Sequence, residues 1–326
     1  MLKKRSLFSL LSVLVLMVLL IAACGTNEEG AHGEGETADN EPSSEEIRVV
    51  EHAMGETEVT GTPERIVTLY QGANDTVAAL DIKPVGIVES WTQKPVYEYL
   101  RNNLEGVEIV GEETQPNLEA IAELDPDVII ATKTRHEEIY EDLSVIAPTV
   151  VGEEVYKWKE TLEMIGQALN KENEANQLLA EYNERIEHFK EEMGDALPIE
   201  AAITNFRADH ARIFYMGFAG EILKDAGFER PEGHDNPDEW GIKLSSKESI
   251  PEADAEIIFN FNSGTETEQI EATYEEWTSH PLWQRLDAVE NDQVHMVAEE
   301  TWNAGGGINA ANLMLDDLYE IFDVEK

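Results

Sequence analysis

Three arginines stand out in this chain because of where they fall. Arg135 follows the apolar run "DVIIA", Arg207 follows "AAITNF", and Arg212 opens "RIFYM". The chain has 68 Asp and Glu against 23 Lys and Arg, a formal net charge of −45. A guanidinium at the end of a predicted strand is therefore either neutralised by a nearby carboxylate or kept for an anionic ligand. Its planar fork of N–H donors suits the second use, since it meets a carboxylate with paired, charge-assisted hydrogen bonds. Aromatic residues occupy comparable positions. Tyr70 follows the first strand candidate, Trp91 the second, Tyr215 lies near a strand end, and Trp302 precedes "NAGGG". Each is either a flat wall of a small-molecule pocket or a core residue. Gln71, Asn74 and Thr92 add neutral hydrogen-bonding groups beside them.

Other chemistries find less support. There is no GxSxG nucleophile elbow, the single cysteine is Cys24, and isolated acids are too abundant to single out an acid–base pair. His52, His136, His188, His210, His234, His280 and His295 show no HxH or HExxH spacing, although folding could still gather them into a site for a metal ion. Gly305, Gly306 and Gly307 permit close backbone approach or a turn with positive φ. They lack the strand–turn–helix context of a phosphate-binding fingerprint. The excess of carboxylates argues against nucleic acid as a partner, because phosphate binding needs neutralising Lys and Arg.

The elements that must position these residues alternate along the chain. "RIVTL" (65–69), "PVGIV" (84–88), "VEIV" (107–110) and "DVIIA" (127–131) are short, β-branched and bounded by turn formers, the pattern of buried strands. "DTVAAL" (75–80) and "NLEAIAEL" (117–124) lie between them as amphipathic helices. A second alternating region carries "AAITNF" (201–206), "RIFYM" (212–216), "EIIFNF" (256–261) and "VHMV" (294–297) as strands, with "GEILKDAG" (220–227) and "INAANLMLDDLYEIF" (308–322) as helices. Between the two regions, residues 156–194 contain no proline. Their apolar residues, from Trp158 and Leu162 to Ile186 and Phe189, recur at helical spacing. About 35 helical residues at 1.5 Å each would span roughly 50 Å. The reading is α/β: two lobes joined by a single long interlobe helix, with a ligand cleft between the lobes beyond the carboxyl ends of the strands.

At the amino terminus, Lys3, Lys4 and Arg5 precede an uncharged run from Ser6 to Ala23 that ends in Ile21-Ala22-Ala23-Cys24. This is the basic, apolar, small-residue order of an export signal, and the last four residues resemble the lipobox of bacterial lipoproteins. The resemblance implies lipidation of Cys24 and a protein that faces the extracytoplasmic side of the cell membrane. Residues 24–46, acidic and Gly-rich, read as a flexible tether. The expected organisation is a signal peptide at 1–23, the lipidated cysteine and tether at 24–46, an N-terminal lobe at 47–154, the interlobe helix at 155–194 and a C-terminal lobe at 195–326.

The segments "TPERIVTLYQGANDTVAALDIKPVGI" (62–87), "PNLEAIAELDPDVIIATKTR" (116–135) and "GFAGEILKDAGF" (217–228), with the central helix, resemble the substrate-binding lipoproteins of iron-siderophore and cobalamin ABC importers. "ESWTQKP" (89–95), "NFRADHARIF" (205–214), "SKESIPEADAEIIF" (246–259) and "TWNAGG" (301–306) look most like the ferric-citrate-binding type. The resemblance implies two Rossmann-like lobes, a rigid interlobe helix and no covalent chemistry. The cargo would be a ferric chelate, with iron bound only as part of that ligand and no cofactor. The partners would be a permease dimer driven by a cytoplasmic ATPase, and the protein itself would be a monomer. The resemblance places basic ligand contacts around Arg135 and Arg207, with Lys133 and Arg212 as close competitors. It carries permease docking onto Glu119 and Glu221, early positions of short helices where a carboxylate is also favoured by the helix N-terminus. Ferric citrate, another hydroxycarboxylate siderophore, a catecholate chelate and heme all fit a cationic and aromatic cleft. A direct metal-ion importer protein and an envelope ligand sensor stay open as alternatives.

Overall fold

Short β-branched runs pair into two large sheets and a separate hairpin in the computed structural model, which describes residues 46–237 and 239–326. The expected signal peptide, Cys24 and the tether up to residue 45 lie outside the described residues. Strands β1 (Ile47–His52) and β2 (Gly55–Thr60) form an antiparallel hairpin. The first lobe is built on β3 (Ile66–Thr68), β4 (Gly86–Glu89), β5 (Glu108–Glu112), β6 (Gln115–Pro116), β7 (Val128–Thr132) and β8 (Thr149–Gly152), in the order β6-β5-β4-β3-β7-β8. All neighbours there are parallel except β5 and β6. The second lobe has β9 (Ala201–Phe206), β10 (Ala211–Phe214), β11 (Gly241–Lys243), β12 (Ile257–Asn262) and β13 (Val294–Met296), in the order β11-β10-β9-β12-β13. Its β9, β12 and β13 are parallel, while β10 and β11 are antiparallel additions.

The helices that matter for the site are α1 (Gln71–Ala79), α2 (Leu118–Glu123), α3 (Lys133–His136), α4 (Trp158–Ala168), α5 (Glu172–Met193), α6 (Gly217–Asp225), α7 (Thr267–Thr278) and α8 (Ile308–Ile321). The long interlobe helix is α5, with 22 residues or ~33 Å of rise, and not the whole of 155–194. The first part of that segment is the separate helix α4. Asn170 adopts a left-handed φ of 58°, a conformation a short polar side chain tolerates, and it ends α4. The chain then turns so sharply that the Lys171 N–H donates to the Gly166 carbonyl at 2.7 Å. A Cβ on Gly166 would lie 2.7 Å from the Ala175 Cβ, so this glycine lets α5 start directly against α4. Apolar spacing continues across the break because both helices bury their stripes in the same core, which is why periodicity alone reads through it.

That core is shared by the two lobes. Val50, Ile66 and Val150 from the first lobe, Trp158, Ile165, Tyr182 and Phe189 from α4 and α5, and Ile203, Phe259, Met314 and Leu318 from the second region belong to one buried cluster. Each sheet packs a further cluster on its other face. The lobes therefore meet on apolar surface as well as through polar contacts. Opening that surface to water would cost on the order of 25 cal/mol per Å².

The polar contacts are concentrated where α1 meets the start of α8. Asp75 Oδ1 accepts from the Asn309 N–H at 2.8 Å, and Asp75 Oδ2 accepts from the Ala310 N–H and the Tyr99 hydroxyl, both at 3.0 Å. A side chain of the first lobe thus caps a helix that packs against the second. The glycines before α8 make this possible. A Cβ on Gly307 would fall 2.5 Å from Asp75, one on Gly72 would fall 2.4 Å from the Gly306 carbonyl oxygen, and Gly306 has a φ of 61°. Two ion pairs run beside this junction: Lys157 to Glu221 at 2.8 Å and Lys159 to Asp225 at 2.6 Å.

Burial pushes the Asp75 carboxyl up to about 7, against the opposing pull of the N–H groups of Asn309 and Ala310 and the Tyr99 hydroxyl. A carboxyl whose folded value lies above its unfolded one stabilises the fold at low pH, and that contribution is lost as pH rises through about 7. Asn at this position does not titrate. The stability advantage of wild type over Asp75→Asn is therefore expected to narrow as pH rises from 5 to 8, at no more than ~1.4 kcal/mol per pH unit, in denaturant unfolding followed by far-ultraviolet circular dichroism. A constant difference over that range would contradict it.

Candidate ligand cleft

The carboxyl ends of the parallel strands turn the residues that follow them toward one edge of each sheet. In the first lobe this brings together Gln71 after β3, Trp91 after β4, Glu113 after β5, and Lys133, Arg135 and His136 after β7. Glu113 links most of them. Only 4 % exposed, it accepts from Arg135 Nε at 3.1 Å through one carboxylate oxygen and from the Gln71 N–H at 3.1 Å through the other. The Trp91 side chain lies close enough to pull its pKa down. His136 Nδ1 accepts from the Thr132 N–H at 3.1 Å, which leaves Nε2 as the donor to the Glu113 carbonyl at 2.8 Å. Burial raises the Glu113 pKa, with Arg135, the Gln71 N–H and Trp91 pulling against it. Burial likewise lowers His136 and favours the neutral ring that these two hydrogen bonds require.

Lys133 sits farther along the same edge and pairs with Glu153 at 3.0 Å. With Thr134, Arg135, Glu137, Glu138, Glu153 and Glu154 it lines an open depression of about 370 Å³. Trp91 is 41 % exposed, so its ring offers a face.

In the second lobe Arg207 follows β9, and its terminal nitrogen lies 3.9 Å from a carboxylate oxygen of Glu299. Glu299 is buried and raised by that burial, with Arg207 and the Ser263 side chain pulling against it. Arg212 lies one residue into β10 and donates from Nε to His210 Nε2 at 2.8 Å. His210 Nδ1 then donates to Asp209 at 2.5 Å. The Arg212 guanidinium also lies over the Trp240 ring, 5.4 Å from its centroid. Burial and then the neighbouring Arg207 lower its pKa, so two guanidinium groups act on each other at this edge.

The remaining sequence candidates are placed differently. Tyr70 and Trp302 are both 0 % exposed and present no wall to a ligand. The Tyr70 hydroxyl bonds Thr161 at 3.1 Å. Trp302 packs on Phe259, with ring centroids 4.6 Å apart, and donates to Asp317 at 2.7 Å. Positions after a strand or before a glycine run looked like lining, but their rings turn inward to fill the shared core. Tyr215 lies beyond the end of β10 remote from Arg207 and stacks on His234 at 5.0 Å. Glu119 is exposed at the start of α2, whereas Glu221 is engaged by Lys157. Cys24 lies outside the described residues. Sequence reasoning missed Glu113, Glu299, His210 and the 51 % exposed Trp240. The two buried glutamates had no signal at all among 68 acidic residues.

Two α/β lobes, a shared core and a polar edge at the strand ends coincide with the profile of the periplasmic binding protein family, which matches residues 66–300. The chain belongs to that family. It is 38 % identical over 323 residues to the probable siderophore-binding lipoprotein YfiY of Bacillus subtilis, covering 96 % of this chain and 97 % of that protein. It is 42 % identical over 264 residues to the achromobactin-binding periplasmic protein of Dickeya dadantii, covering 79 % and 86 %. Identity to the Fe(3+)-citrate-binding protein YfmC of Bacillus subtilis is 31 % over 320 residues, 96 % of each chain. The structure of Staphylococcus aureus SirA in complex with staphyloferrin B superposes with a TM-score of 0.82 at 46 % identity, covering 85 % of this chain and 99 % of that one.

A periplasmic binding protein holds its ligand without transforming it, which fits an edge of cations, rings and hydrogen-bond donors. Among the described residues no group of three or more His, Cys, Asp and Glu could hold a metal ion. The exposed Trp91 is expected to report ligand entry. Trp91→Phe should remove most of the intrinsic-fluorescence quench caused by a ferric chelate, whereas Trp302→Phe should retain it while lowering the thermal midpoint through lost core packing. An undiminished quench in Trp91→Phe would place the ligand elsewhere.

Proposed function

We propose that the protein captures the ferric complex of an anionic, carboxylate-type siderophore in the cleft and delivers it to a membrane permease. As a member of its family it is the extracytoplasmic substrate-binding protein of an ABC importer for iron chelates. The observation that carries the finer reading is the placement of Arg135 and Arg207 at strand ends of the two lobes, each beside a buried glutamate, in a chain of net charge −45. Cations held in place in such surroundings serve a strongly anionic ligand, and exposed Trp91 supplies a flat apolar face. Arg212, placed beside Arg207, extends the cationic edge. The names of the relatives favour the same class. Ferric citrate is one member, and the higher identities to proteins associated with achromobactin and staphyloferrin B widen the choice beyond it.

The test is a fluorescence titration of the detergent-solubilised full chain with ferric citrate at several citrate-to-iron ratios, ferric staphyloferrin B, a ferric catecholate, heme, and free Mn²⁺ and Zn²⁺. Saturable submicromolar binding of a carboxylate chelate, absent for its iron-free form and for free metals, is the expected result. Binding of free metal alone would favour the metal-ion importer reading instead.

Delivery assigns Glu119 and Glu221 to docking on basic residues of a permease, with Cys24 as the lipid anchor. Replacing both glutamates by Ala is expected to leave chelate affinity within about twofold and to reduce iron uptake by cells at least tenfold. These are the magnitudes expected of charge pairs confined to a partner interface. Uptake at the wild-type rate would remove these residues from docking and, if transport is also independent of the protein, would favour a ligand sensor.

A further inference from the structure

We infer that Glu113 is the positioning residue of the first lobe's half of the site, one buried carboxylate that sets the cationic and the aromatic contact together. The inference rests on the chelate reading for its ligand and on the unliganded geometry for its substance. Glu113 gathers groups from four strand ends: the Gln71 N–H after β3, the Trp91 side chain after β4, its own backbone after β5 and Arg135 after β7. Its carbonyl takes the His136 ring, which is itself fixed by the Thr132 N–H. The hub is therefore closed on both its side chain and its main chain.

The way Arg135 is held matters most. Glu113 engages Nε at 3.1 Å, and among the described residues the two terminal nitrogens make no hydrogen bond to the protein. The guanidinium side chain keeps 34 % of its surface exposed while its partner keeps 4 %. The buried carboxylate thus grips the inner edge of the fork and leaves the outer edge for an incoming carboxylate. A purely stabilising ion pair has no need of this asymmetry, and buried ion pairs are in any case weak contributors to stability. The second oxygen holds the Gln71 N–H, and the Trp91 indole lies beside the same carboxylate. Rotating Glu113 would release both ligand contacts at once, which is the property of a positioning group.

Glu113→Gln keeps the shape but offers an amide N–H₂ where the native oxygens face only donors. The full chain, Glu113→Gln, Arg135→Ala, the double variant and Glu113→Asp are to be titrated with ferric citrate and ferric staphyloferrin B. For whichever chelate wild type binds, Glu113→Gln is expected to weaken binding about tenfold, in the range of losing one charge-assisted hydrogen bond. Arg135→Ala should cost at least as much, and the double variant should lose clearly less than the product of the two single losses, its remaining excess over Arg135→Ala being the Trp91 contact. Glu113→Asp, which keeps the charge but is too short to reach Arg135 and Gln71 together, should fall between wild type and Glu113→Gln.

Two readouts on the unliganded protein separate this inference from the chelate reading: the Trp91 emission maximum, isolated against a Trp91→Phe background, and the Arg135 Nε–H resonance in a ¹⁵N spectrum. Both are expected to shift in Glu113→Gln. If wild type binds neither chelate, the chelate reading fails and these two signals alone decide the positioning role. Unshifted signals, additive affinity losses, or Glu113→Gln binding as tightly as wild type would overturn it. Should Glu113→Gln fail to fold, the same signals in Glu113→Asp decide.

Discussion

The contact on which the cleft depends is the capping of α8 by Asp75. Helix N-termini carry unsatisfied N–H groups that need an acceptor, and here the acceptor comes from the opposite lobe. Asn309 and Ala310 donate to one side chain of α1, so the second lobe's last helix cannot shift without losing its cap. Gly305, Gly306 and Gly307 bring the two backbones close enough for this, because any Cβ on Gly307 would occupy the space of the Asp75 carboxylate. The shared apolar core and the two lysine–carboxylate pairs from the start of α4 to α6 act in the same direction. The angle between the two binding edges is thus set by packing and capping in the body of the molecule, away from the ligand contacts themselves.

Electrostatics then decides what those edges can hold. In a chain with three acids for each base, a free surface arginine is expected to find a carboxylate, as Lys133 does with Glu153 and Arg101 with Glu98. Such exposed pairs are weak and exchange readily. Arg135 and Arg207 differ because their partners are buried. Burial works against the charge of Glu113 and Glu299, and a nearby arginine pulls the other way in each case. Glu113 therefore fixes the Arg135 guanidinium by a hydrogen bond at the sheet edge, while Glu299 draws Arg207 by charge at 3.9 Å. Arg212 is fixed differently, by donating to His210 Nε2, whose Nδ1 in turn bonds Asp209.

Much of this architecture was legible from residue order. The buried runs at 65–69, 127–131, 201–206 and 256–261 correspond to β3, β7, β9 and β12, because short β-branched segments bounded by turn formers have few other ways to be buried. The hairpin at 47–60 was harder to see, since its strands carry charges on an exposed face and bury little besides Val50 and Val59. Strand-end position located Arg135 and Arg207 but could not say which way a neighbouring ring points. Tyr70 and Trp302 turn inward where Trp91 turns outward, and that choice is made by tertiary packing against α4 and Phe259. The partners of the arginines were invisible for a different reason. Glu113 is one of a pair of adjacent glutamates, and burial alone separates it from Glu112.

The two constraints are linked. A lobe arrangement fixed by a cross-lobe cap and a continuous apolar core has little freedom to close around a ligand, so the contacts must already be in place when the ligand arrives. Groups ordered beforehand avoid the conformational cost that binding would otherwise carry, but a charged side chain stays ordered only if something holds it. Surface carboxylates cannot do so, because they compete with one another and with water. A carboxylate inside the fold can, provided its burial is offset by the charge it positions and by backbone N–H groups such as that of Gln71. The buried glutamates behind the cleft are therefore the electrostatic counterpart of the Asp75 cap: one set fixes where the lobes stand, and the other fixes what they present.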